Sequence, residues 1–125
     1  MAKGYESHRE RQELISSFGK AIAKRARFRC EWCEGTEDLR PWDHRPEREP
    51  SEETLALLCG RCREWGAGRP ATPQELRAIR NALWSDIPAV AEGAARILSR
   101  CPEPWAREAI EESLIDEEVK RELLG

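Results

Sequence analysis

Residues 30–62 read CEWCEGTEDLRPWDHRPEREPSEETLALLCGRC: a Cys-x2-Cys pair, twenty-five residues, then a second Cys-x2-Cys pair. Two residues between thiolates let both sulfurs face one tetrahedral ion from a single tight turn, and two such turns complete a closed site. Cys30, Cys33, Cys59 and Cys62 are therefore read as ligands of one structural Zn²⁺ per chain, with two redox dithiols as the alternative. Between the pairs, Leu39-Arg-Pro-Trp42 and Thr54-Leu-Ala-Leu-Leu58 read as two short strands, and the polar stretch 45–52 as the loop joining them. The second pair lies in Leu58-Cys-Gly-Arg-Cys-Arg-Glu-Trp65, where strand gives way to helix. Knuckle, hairpin, then a helix carrying the last ligands is a treble-clef or zinc-ribbon module. Arg29 and the helix dipole are expected to favour the thiolate forms, and Gly35 to supply the left-handed turn out of the first knuckle. Cys101 has no partner at metal spacing and reads as an inert core thiol.

N-terminal to this module, residues 7–27 read as one helix with Leu14, Ile15, Phe18, Ile22 and Ala26 on one stripe; Gly19 interrupts it. Lys20, Lys24 and Arg27 fall on the opposite face. C-terminal to the module, residues 66–71 form a short linker. Thr72-Pro73-Gln74-Glu75 is a capping box with Pro at the first helical position, followed by Leu76, Ile79 and Leu83. Ser85 and Asp86 offer a cap for the next helix, whose face is Ile87, Val90, Ala91, Ala94, Ile97 and Leu98. Pro102 stops it. A further helix restarts at Pro104 with Trp105, Ala106, Ile110 and Leu114, and Asp116 opens a terminal turn or two through Leu124. These stripes are read as core surface.

The chain of 125 residues is 39% apolar and 36% charged, a globular, surface-rich composition with one modest core. No apolar run reaches the length of a membrane span and the N-terminus lacks an apolar signal core, so a soluble, cytoplasmic protein is expected. In a reducing cytosol, clustered cysteines favour metal over disulfides. The net charge of −3 hides an asymmetry: residues 1–29 carry +5, and residues 30–70 and 99–125 carry −4 each. A basic arm on an acidic body suits either a polyanionic partner or pairing within the chain, the latter being preferred.

Two resemblances follow from these motifs. Trp42-Asp43-His44-Arg45-Pro46, between the two Cys pairs, resembles HNH endonucleases, and the resemblance implies Asp43 as a metal ligand and His44 as a general base activating water. The Asn that orients the base in that family would fall near Thr54, and the last metal-binding His at Arg63, so two of three hallmark positions are replaced. A second likeness covers nearly the whole chain. The N-terminal Met1-Ala-Lys-Gly-Tyr5 with His8, Gly19-Lys20, Arg29-Cys-Glu-Trp-Cys33, Leu58-Cys-Gly-Arg-Cys62, Asn81-Ala-Leu-Trp-Ser-Asp-Ile-Pro-Ala-Val90 and Leu114-Ile-Asp-Glu-Glu118 resemble the PhnA-type family of bacterial proteins. It implies a zinc module followed by family-specific helices and little chemistry; the chain has only two His, too few for a two-metal phosphonate hydrolase. Trp84 in that signature is read as a packing corner in preference to a recognition surface.

The expectation is one α-rich domain over residues 1–125: a basic N-terminal helix (1–29), a zinc treble clef with a small β-hairpin (30–68), and about three C-terminal helices (69–125). The leading function is a non-catalytic zinc-stabilised binding or regulatory module in bacterial cytosol. The alternative is a divergent HNH-like metal-dependent nuclease or nucleic-acid binder, using Asp43, His44 and the basic Lys20, Lys24 and Arg27. The partner, protein or nucleic acid, and the oligomeric state are left open.

Overall fold

A computed structural model describes the backbone of residues 2–125 and the side chains from Ser7 onward. It is mainly helical, with one antiparallel hairpin, in the order α1 (Ala2–Ser17), α2 (Gly19–Arg25), β1 (Arg40–Asp43), β2 (Leu55–Leu58), α3 (Gly60–Gly66), α4 (Pro73–Leu76), a 3-10 helix (Arg77–Trp84), α5 (Pro88–Leu98), α6 (Pro104–Glu112) and α7 (Glu117–Leu124). Among the described residues, no helix is long and apolar enough to cross a membrane.

The strand β2, Leu-Ala-Leu-Leu, is buried along its whole length, as a strand covered on both faces must be. Side chains alternate across a strand. Leu55 and Leu57 accordingly join Ile15 and Ile22 of the N-terminal helices in one apolar cluster. Ala56 and Leu58 enter the other cluster, with Trp32, Trp65, Ile79, Leu83, Val90, Ala94, Leu98 and Ile110. Strand β1 pairs with β2 in the register Arg40↔Leu58, Pro41↔Leu57, Trp42↔Ala56 and Asp43↔Leu55, which turns Trp42 toward the helical side. There its ring meets Trp32 edge-on, centroids 5.2 Å apart.

The single N-terminal helix expected from the sequence is two helices, broken at Phe18 where Gly19 opens α2. The break lets Ile15 and Ile22, seven residues apart, both reach β2; Leu14 of the expected stripe is over a third exposed. α2 ends in a left-handed turn: Arg27 N–H donates to Lys24 O and Phe28 N–H to Ala23 O, with φ of 57° and 58° at Arg27 and Phe28. Glycine ordinarily takes the first of these places. At the other end of the chain, the Thr72/Glu75 capping box and Pro73 start α4 as expected. The helix then tightens to 3-10, and Leu76, Ile79 and Ala82, three residues apart, are all buried, the spacing of a three-residue turn. α5 starts at Pro88 with no side-chain cap, contrary to the expected Ser85/Asp86 cap; Ser85 Oγ accepts from Ile87 N–H in the turn just before it. α6 closes before Leu114, which is 84% exposed, and Ala109 takes the inward place. Asp116 caps α7 through Glu118 N–H.

Candidate metal centre and the adjoining cleft

The two knuckles bring Cys30, Cys33, Cys59 and Cys62 into one cluster in which every Sγ lies within 4.8 Å of the others. Metal–sulfur bonds of about 2.3 Å in a tetrahedron require sulfur separations of about 3.8 Å, and Cys33 and Cys59 stand 3.6 Å apart. One set of four sulfurs, not two separate dithiols, is what the fold builds. These residues can hold one metal ion. Cys30, Cys59 and Cys62 are buried and Cys33 is half-buried, with Cys33 and Cys59 lining an open hollow; the four sulfurs are enough to fill a tetrahedral coordination sphere.

The local sequence makes each knuckle. Cys30 N–H donates to Gly35 O at 2.7 Å, while Cys33 N–H and Gly35 N–H point at the sulfurs of Cys30 and Cys33. The left-handed residue of this turn is Glu34, φ 67°, and not Gly35. Gly35 serves instead by its lack of a side chain: a Cβ there would sit 3.3 Å from Cys33 Sγ. In the second knuckle Cys59 is the N-cap of α3. Backbone N–H groups thus take the supporting role expected of Arg29, which is exposed. The thiols themselves resist joint ionisation. Cys62 is pushed up by sharing a proton with Cys30 and by burial, and Cys33 is raised by burial. The same hydrogen bond from Cys62 draws Cys30 down. A dication held by four thiolates offsets half of their charge and therefore binds with release of protons.

Two arginine–carboxylate clasps brace the knuckles. Arg25 grips Glu31 (2.6 and 3.1 Å) and the carbonyls of Leu55 and Glu52. Glu31 in turn accepts from Leu57 N–H through its carboxylate and donates its own N–H to Leu57 O, both at 2.8 Å. Arg63, directly after Cys62, reaches back to Asp38 Oδ2 and to the carbonyls of Asp38 and Leu58 at 2.6–2.8 Å. It ties the second knuckle to the chain leaving the first. Trp32, between the first two cysteines, donates its indole N–H to Val90 O at 3.1 Å and so fixes the centre to α5. Sequence reading missed Arg25 and Glu31; a carboxylate held inside a knuckle beside an apolar strand was the available signal.

Asp43 and His44 stand at the end of β1, and the fold engages each separately. Asp43 receives both Nε and a terminal nitrogen of Arg11, at 3.1 and 2.7 Å, and Arg11 also donates to Arg45 O and Arg48 O. His44 has a side chain only 1% exposed, with Nε2 3.6 Å from Glu92 Oε1. Neither ring nitrogen has a hydrogen-bond partner. Burial above all, and then Arg45, depress its pKa below the ordinary 6.5, with Glu92 opposing, so the imidazole is held neutral. It lines a polar cleft of about 410 Å³ with Arg45, Arg48, Thr54 and Glu92. Thr54 Oγ1 is occupied with the backbone of Ser51. Among the described residues, the four cysteines are the only set of three or more ligating side chains close enough to share one ion.

Of the basic residues before Cys30, Arg9, Arg11 and Arg25 pair within the chain. Lys20, Lys24 and Arg27 are exposed. Cys101 is half-buried, at the mouth of a small hollow with Pro70 and Pro102. Trp84 is 37% exposed and Leu83 fills the core beside it; the packing corner expected of the tryptophan belongs to the leucine. No protein-family model, curated protein or solved structure matches the chain.

Proposed function

We propose that this protein is a zinc-stabilised, non-catalytic binding or regulatory module, PhnA-like in its motifs. The observation that carries the reading is the closure of the metal centre: four cysteine sulfurs in one tetrahedral-sized cluster leave no position for water or substrate, the mark of a structural site. Four thiolates on a filled-shell ion of no redox activity suit zinc, and the knuckles hold the ion in the position a core would otherwise occupy. The likeness to the PhnA-type family rests on the motif residues given above and adds no chemistry. The absence of catalysis is supported by the use made of the HNH-like pair. Asp43 is committed to Arg11, and His44 is walled in by Trp42, Arg45 and Glu92.

Metal analysis of untagged protein should find one zinc per chain, and Cys59→Ser should lose both the zinc and the helical circular-dichroism signal. Iron in place of zinc, or a folded Cys59→Ser protein, would overturn the structural-zinc reading. Plasmid and oligonucleotide DNA should stay intact with Mg²⁺ or Mn²⁺. Cleavage that vanishes in His44→Ala would establish the HNH-like nuclease instead.

A further inference from the structure

Separate from the His44 cleft, the turn after α2 and the first knuckle line one side of a groove of about 530 Å³; the 3-10 helix and the start of α5 line the other. Arg27, Arg29 and Glu34 stand on the first wall, Asn81, Trp84 and Ser85 on the second. The guanidinium of Arg80 lies over the Trp84 ring, 5.0 Å from its centroid. Glu31 also lines the groove, but its charge is taken by Arg25, so Glu34 is the remaining lining carboxylate against Arg27 and Arg29. Lys20 and Lys24 of α2, outside the groove's lining, are also exposed.

The first wall is built against the preferences of stability. Arg27 occupies a left-handed helix-ending position that glycine fills without strain. Phe28, next to it, is also left-handed and is 64% exposed. A helix ending of this type ordinarily folds its last apolar residue back onto the helix; here the ring stands in solvent between two arginines. Strained, exposed residues of this kind persist where a ligand uses them.

Cations that follow a backbone, with exposed aromatic faces at the rim, are what a flexible polyanion with separable bases requires. We infer that this groove binds single-stranded nucleic acid, with Arg27 and Arg29 on phosphates and the exposed Phe28, next to them in the chain, as the base platform, while Arg80, stacked on Trp84, adds a cation beside the second wall. The inference rests on the binding-module reading and names its ligand. A protein whose net charge is −3 reaches a polyanion only through such a local patch, so binding is sharply salt-dependent.

The test is fluorescence anisotropy of labelled dT20, U20 and a 20-base-pair duplex against the zinc-loaded full chain. Both single strands should bind more tightly than the duplex, whose bases are already stacked. Preference of U20 over dT20, or the reverse, identifies the natural strand. Phe28→Ala should weaken binding about 5- to 100-fold, and Arg29→Gln should lower the salt slope by about 0.7. Arg27→Gly is the decisive variant, because it should raise the melting temperature while weakening binding; a merely structural residue moves only the first. No binding of either strand at low salt, equal binding of duplex, or full affinity in Phe28→Ala and Arg27→Gly would overturn the inference and leave the module reading intact. Cutting of the labelled strand would instead sink the non-catalytic reading while the groove stood.

Discussion

Glu31 sits between two metal-ligand cysteines yet ligates nothing; its carboxylate serves Arg25 and Leu57 N–H. With side chains only 20% and 9% exposed, Arg25 and Glu31 form a pair whose one-sided loss leaves a desolvated charge. Glu31→Ala should therefore destabilise by about 2–4 kcal/mol in urea unfolding, and Arg25→Met in the same chain should restore part of it. Arg11 and Asp43 form the corresponding pair near the cleft, and this one was not legible from the sequence, because an ion pair thirty-two residues apart leaves no local pattern. His44 was legible as a special residue but not as a buried neutral one. Its depressed pKa has a definite sign: the unfolded imidazole takes up a proton below about 6.5 that the folded one refuses. Above that value its contribution to stability is complete; below it stability falls, by at most about 1.4 kcal/mol per pH unit, until the folded ring also titrates. Urea unfolding at about pH 7 and about pH 5.5 should show this loss, and His44→Gln should show a shallower one.

Among the elements, α5 is the best recorded in the sequence and carries the least obvious requirement. Its apolar stripe was visible, but Gly93 in its middle reads only as a weak helix former. In the fold a Cβ at Gly93 would lie 2.9 Å from both Trp32 and Trp42 rings. Gly93→Ala should thus cost about 1–3 kcal/mol by overpacking, overriding the gain of about 1 kcal/mol that alanine brings to a helix interior. Thermal melts decide the sign. Thr72→Ala, at a cap that was fully legible, should cost about 1 kcal/mol. Caps, prolines and Cys spacing were readable because each acts over three or four residues. The α-to-3-10 change at Leu76 and the break at Phe18 were less so, since tertiary packing on β2 and the core selects them.

Across the whole molecule, β2 is the seam. One face belongs to the N-terminal helices and the other to the C-terminal ones, while its last residue leads into Cys59. Removing the metal with a chelator should therefore melt both clusters together, in a single transition followed alike by circular dichroism and by tryptophan fluorescence. Two separate transitions would show that the N-terminal helices hold β2 without the knuckles. The hairpin module and its cluster of four cysteines could be read from spacing alone, whereas which face of β2 meets which helices depended on the pairing register. The clasp on Leu57 has one more consequence. A short all-apolar strand with unpaired N–H and C=O groups is a template for a neighbouring chain. Glu31 and Arg25 occupy the outward-facing groups of Leu55 and Leu57. On the opposite rim of the hairpin the residue facing Leu57 is Pro41, which has no N–H to offer. Both borders of this two-stranded sheet are thus interrupted as templates for intermolecular pairing, and loosening the Arg25–Glu31 clasp should raise aggregation together with unfolding.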